Sequence, residues 1–91
     1  MSEAILNQFL TRYETADTRR EKALAIYNAV KVAVPFQELH KFLGSEAKGF
    51  LSFIKSMQDE DSDVSTAIAR EEDAPRAEYL EGLYNKLKAL Q

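Results

Sequence analysis

The chain has no cysteine and no tryptophan, and it has only one histidine, three glycines and two prolines in 91 residues. Without cysteine it can form no disulfide, no thiolate nucleophile and no cysteine-ligated zinc or iron–sulfur site. One histidine cannot supply a histidine-rich metal site or a histidine pair for acid–base chemistry. The composition therefore predicts a protein without a cofactor and without a bound metal.

Long apolar runs and an excess of positive charge are also missing. The apolar runs are far too short to cross a bilayer, and the first residues lack the charged-then-apolar pattern of a signal peptide. We therefore expect a cytoplasmic protein that makes no membrane contact. The net charge of −3 disfavours a strongly basic nucleic-acid binder.

Apolar residues recur with helical spacing along almost the whole chain, and no stretch alternates for long enough to predict a strand. The predicted fold class is all-α, as a single compact bundle of five or six short helices in one domain over residues 1–91. The six predicted helices cover residues 3–14, 19–33, 36–43, 46–58, 63–71 and 75–90.

Local signals mark several of these helix ends. Thr18 and Glu21 have the spacing of a capping box, which predicts a helix start near residue 19. Pro35 is predicted to end that helix, because the residue before a proline leaves helical geometry. Gly44 is expected to follow the last turn of the third helix, and Ser45 to cap the fourth.

Three short motifs resemble sites of chemistry, and each has a simpler explanation. Ser45 and Lys48 match the S-x-x-K pattern of serine acylases, but the accompanying motifs are missing, so Ser45 is interpreted as a helix cap. His40 has no acidic residue or second histidine three or four positions away, which leaves metal binding unsupported. We expect no catalytic residue.

The third motif is acidic and resembles the start of a calcium loop. Three aspartates alternate at positions 59, 61 and 63, but Val64 stands where such a loop needs glycine, and Arg70 where it needs glutamate. A solvated linker is the better interpretation. Residues 59–73 contain seven acidic residues against Arg70 alone, so this segment concentrates negative charge. The candidate partner-binding residues within it are Asp59, Glu60, Asp61, Asp63, Glu71, Glu72 and Asp73.

Two predicted helices carry more apolar surface than a simple amphipathic helix needs. The helix over 46–58 is apolar over nearly half its circumference, which favours a central position or a covering partner. The last helix, whose start is predicted from Asp73 and Pro75, has a narrow seam of leucines that suits a two-helix contact. Core and interface remain alternatives for both helices. The candidate residues of a dimer seam are Leu80, Leu83, Leu87 and Leu90.

The preferred function is a non-enzymatic protein-binding module, such as a small acidic accessory, inhibitor or immunity-type protein. It would act through apolar helix surface and the acidic segment on a protein partner whose identity is open, and homodimerisation through the leucine seam is a further expectation. The alternative is a helix-turn-helix DNA-binding regulator that uses the Phe36–Met57 hairpin. We do not expect nucleic-acid binding, because the outward positions of that hairpin lack the Arg, Asn or Gln that read bases.

Overall fold

Five α-helices and three 3-10 turns make up the computed structural model over the residues that it describes, 3–58 and 69–91. The predicted all-α class and compact bundle are confirmed. The helix predicted over 63–71 lies largely outside the described residues, and Glu71 at its end belongs to a turn. The helices are α1 (Glu3–Thr15), α2 (Arg19–Ala33), α3 (Leu39–Leu43), α4 (Ala47–Gln58) and α5 (Ala77–Ala89). The 3-10 turns are Phe36–Glu38, Gly44–Glu46 and Glu71–Asp73.

Both ends of α2 follow the local signals. Thr18 has an extended backbone, and its hydroxyl accepts a hydrogen bond from the Glu21 N–H at 3.1 Å. The Glu21 carboxylate reaches back to the N–H of Asp17 at 3.3 Å, one residue earlier than a capping box requires. At the other end Val34 is extended before Pro35, so the proline ends the helix as predicted.

The region between α2 and α4 is less regular than predicted. The third helix begins as a 3-10 turn, and α3 itself has only five residues. Gly44 follows it with a φ of +81°, a conformation that favours glycine. Contrary to the prediction, Ser45 does not cap α4. It lies inside the turn Gly44–Glu46, which closes through the backbone bond from Ala47 N–H to the Gly44 carbonyl, and its side chain bonds no described residue.

The start of α5 also differs from the prediction. Arg76 is the N-cap residue, and the Leu80 N–H donates to its carbonyl at 3.1 Å. Pro75 therefore lies just before the helix, and Asp73 ends the preceding 3-10 turn. Ala74 and Arg76 both have extended backbones, so helical geometry begins only at Ala77.

The core lies where α2, α4 and α5 meet, with α1 packed along α2. Small and branched residues of α2 are completely buried, which allows close helix packing. From α4, Phe50 inserts between Tyr27 and Tyr79, with ring centroids 6.3 and 5.9 Å away. α4 thus buries part of its broad apolar face in the core, whereas α2 is the helix that contacts α1, α4 and α5. The largest fully buried side chains are Phe50, Ile26, Leu43, Ile54, Leu80, Leu83, Leu87 and Val30.

A pair of stacked tyrosines connects α1 to α5. The rings of Tyr13 and Tyr84 lie 4.7 Å apart at an interplanar angle of 21°. Lys22 Nζ lies 4.6 Å from the Tyr13 ring centroid and donates to the Tyr13 carbonyl at 3.0 Å. Aromatic and cation contacts therefore close the end of the bundle where the α1–α2 connection lies. Among the helices that the structure describes, none is long and apolar enough to cross a bilayer.

Candidate protein-binding surface

The structure describes only part of the acidic segment. Asp59, Glu60, Asp61 and Asp63 lie outside the described residues. Glu71, Glu72 and Asp73 form the 3-10 turn that precedes α5, and all three are exposed.

The Glu71 carboxylate is already hydrogen-bonded within the chain. Its carboxylate accepts hydrogen bonds from the backbone N–H groups of Arg19 at 2.8 Å and Arg20 at 3.0 Å, the first two residues of α2. The Arg19 guanidinium lies 3.5 Å from the same carboxylate and donates to the Glu71 carbonyl at 3.1 Å. A carboxylate satisfies the free N–H groups of a helix N-terminus and complements its dipole. Glu71 therefore fastens the acidic turn to α2.

The contacts of Glu71 with the start of α2 change the pKa of its carboxyl group. Its pKa is lowered, first by the backbone hydrogen bonds from Arg20 and Arg19 and further by the Arg19 guanidinium. A carboxyl whose pKa falls on folding contributes stability above its unfolded pKa, and this stability is lost as the pH falls through the folded pKa. The Glu71 clamp should therefore weaken in acid.

We expect Glu71→Gln to lower the free energy of unfolding at pH 7, measured by urea denaturation, because glutamine offers one oxygen acceptor and no charge. The difference from the wild type should shrink as the pH falls below 4.5, the ordinary pKa of the group. Glu72→Gln is the matched control, because among the described residues that exposed carboxylate pairs only with Arg70, at 3.4 Å. A destabilisation that stays constant down to low pH would contradict the clamp.

A groove of about 370 Å³ opens between the start of α4 and the segment that leads into α5. Phe50 and Tyr79 contribute apolar wall, and Gly49 leaves the α4 side open, since no neighbouring atom lies within 4 Å of where its Cβ would stand. Tyr79 is held by its hydroxyl, which donates to the Leu43 carbonyl at 2.7 Å. Burial, with the Glu46 carboxylate as the second cause, raises the pKa of Tyr79 to about 12, so the hydroxyl stays a donor.

Charged side chains line the rim of this groove. Arg76 Nη2 donates to Glu46 at 3.2 Å across the gap between α5 and α4. Asp73 lines the same groove, and no basic side chain of the described residues lies within ion-pair distance of its carboxylate. The groove thus combines aromatic wall with a local excess of negative charge.

The leucines of the predicted seam lie mostly inside the chain. Leu80, Leu83 and Leu87 are fully buried against α2 and α4, whereas Leu90 is 57 % exposed just beyond the end of α5. A contact between chains through the three buried leucines would require α5 to leave the core. These three leucines are therefore not part of the surface from which a binding site can be built.

The Phe36–Met57 hairpin has little of the surface that a DNA reader needs. Its first α-helix has five residues, and Ala47, one of the positions expected to face outward, is buried. Glu46, at another of these positions, is paired with Arg76. Lys41, Lys48 and Lys55 are exposed, but three lysines neutralise few phosphates. His40 is exposed as well, and no metal-binding cluster of acidic or histidine side chains occurs in the part of the chain that the structure describes.

Phe36 is the most exposed large hydrophobic residue among those described. Its side chain is 85 % exposed, against 45 % for Ile5 and 57 % for Leu90. It opens a 3-10 turn that is fixed by Pro35 and by the Glu38 N–H, which donates to the Pro35 carbonyl at 2.9 Å. In the sequence Phe36 does not stand out, because its apolar character fits the helical pattern. The proline directly before it is the signal that could have placed it in a turn.

Comparisons of the chain with protein-family models, with curated proteins and with solved structures found no match.

Proposed function

We propose that the chain is a non-enzymatic protein-binding module that inserts Phe36 into an apolar pocket of its partner. The exposure of Phe36 is the observation that carries this proposal. Burying a phenylalanine side chain stabilises a protein or a complex by about 1.5–3 kcal/mol. Because Phe36 is 85 % exposed, folding of this chain gains almost none of that free energy. A partner pocket would recover it, as large aromatic anchors commonly do at interfaces.

The surroundings of Phe36 suit an anchor. Gln37, Glu38 and His40, which follow the ring in the chain, are all exposed, so polar side chains lie beside it. Interfaces have this arrangement, in which a polar rim surrounds a buried apolar centre. The rigid turn also lowers the entropy that binding would cost, because the side chain is presented from a fixed backbone.

Of the acidic residues that the structure describes, fewer are available to a partner than their number in the sequence predicts. Glu71 is occupied by the start of α2, and Glu72 pairs with Arg70. Asp73 keeps a carboxylate that no described basic side chain neutralises. In this proposal the acidic turn steers a basic region of the partner, while Phe36 supplies the apolar contact.

Affinity capture from the source cell, read by mass spectrometry, tests the proposal with three baits. We expect the wild type and Ile5→Ala to capture the same partner, and Phe36→Ala to lose it. Ile5 is the matched control, because it is the least exposed of the three exposed large hydrophobic residues described. All three baits should have the same circular dichroism and melting temperature, since truncating an exposed side chain changes stability by only about 0.5 kcal/mol. Identical captured proteins with and without the Phe36 ring would overturn the proposal.

A further inference from the structure

The groove between α4 and the acidic turn has the chemistry to hold a guanidinium group. It is lined by the acidic residues Glu46 and Asp73 and by the partly buried Tyr79, with the almost fully buried Phe50 behind them. Guanidinium groups are planar, form paired hydrogen bonds to carboxylates and stack on aromatic faces. At the rim of the groove, the largely exposed Arg76 side chain already pairs its guanidinium with Glu46 at 3.2 Å.

The second carboxylate of the groove, that of Asp73, differs from Glu46 in its pairing. Asp73 lies in the same groove without a basic partner among the described residues. The groove therefore has one neutralised acid and one free acid. Charge complementarity favours a cationic occupant that bonds Asp73.

Gly49 gives such an occupant access. It lies inside α4, where glycine is less favourable than alanine, and the space beside it is empty. A larger residue at this position would project a side chain into the groove. The glycine thus keeps the α4 side of the groove open.

We propose that this groove binds an arginine side chain of a protein partner, with the guanidinium on Asp73 and its aliphatic stem against Tyr79. The inference rests on the proposed function, because it assigns a second contact to the same partner. It does not require Phe36, so the two proposals can fail separately.

An NMR titration of the ¹⁵N-labelled protein tests this assignment with the blocked tripeptide acetyl-Gly-Arg-Gly-amide as the probe. We expect shifts of the amide signals of Gly49, Asp73, Arg76 and Tyr79. The citrulline peptide, which has the same shape but no charge, should shift none of them, and the lysine peptide should bind more weakly. Asp73→Asn should weaken binding of the arginine peptide about tenfold.

Two matched controls separate the groove from general charge. Glu72→Gln removes the same charge one residue away and should leave binding of the probe unchanged. Gly49→Leu should block the groove without altering any charge, whereas Gly82→Leu, at the open glycine of α5, should not. Equal binding of the citrulline or lysine peptide, equal losses in the Glu72 and Asp73 variants, or no shifts at all would overturn the proposal.

The titration also distinguishes this inference from the function on which it rests. Phe36→Ala should bind the arginine peptide as the wild type does. If the arginine peptide does not bind while capture of the partner still depends on Phe36, the groove assignment is wrong and the proposed binding function stands. If the peptide binds while capture does not depend on Phe36, the groove stands without the Phe36 anchor.

Discussion

Replacing Leu83 and Leu87 together with glutamate should unfold the protein. Both leucines are buried in the core that α5 shares with α2 and α4. Placing a carboxylate at either position either buries a charge, at a cost of several kcal/mol, or expels the helix. Two such costs are comparable to the whole stability of a small domain, about 5–15 kcal/mol. Circular dichroism should show loss of helix, and sedimentation should show an expanded chain.

The same experiment decides between core and dimer contact for the leucine seam. Leu90→Glu is the matched control, because this leucine is largely exposed and should accept the charge without loss of helix. If the seam were a contact between chains, the double variant would instead remain a helical, folded monomer. That result would contradict the packing of α5 described above.

Phe50→Ala should cost about 3–5 kcal/mol of stability, the usual range for removing a buried phenylalanine. The ring is only 2 % exposed and lies between Tyr27 and Tyr79, so its removal leaves a cavity where α2, α4 and α5 meet. Urea denaturation at neutral pH measures the loss. Phe36→Ala, which removes the same side chain from an exposed turn, should cost about 0.5 kcal/mol or less. Similar losses in the two variants would mean that the two rings do not differ in burial as described.

Local sequence signals predicted the parts of this fold that depend on local interactions. Thr18 caps α2, Pro35 ends it and Gly44 takes a positive φ, because a few neighbouring backbone atoms decide each of these features. The Ser45 cap was wrong for a related reason. Backbone bonds within a 3-10 turn took the place of the side-chain bond, and a serine directly after a helix-ending glycine does not distinguish these two arrangements.

The candidate site depends on contacts between distant residues, which periodicity does not detect. The acid that caps α2 together with Thr18 is Glu71, 52 positions after Arg19, and its sequence context indicates only a solvated acidic stretch. Arg76 meets Glu46 across 30 positions and so helps to form the groove. Leucine spacing predicted an apolar face on α5, but the burial of that face depends on α2 and α4.

The affinity of the captured partner for the Phe36→Ala variant is the measurement that tests the proposed function most directly. Calorimetric titration of the purified partner into the wild type, Phe36→Ala and Ile5→Ala gives the three dissociation constants. An anchor residue contributes at least about 2 kcal/mol, so Phe36→Ala should weaken binding about 30-fold or more, while Ile5→Ala should stay near the wild type. Equal dissociation constants for the wild type and Phe36→Ala would show that the exposed ring is not the binding anchor.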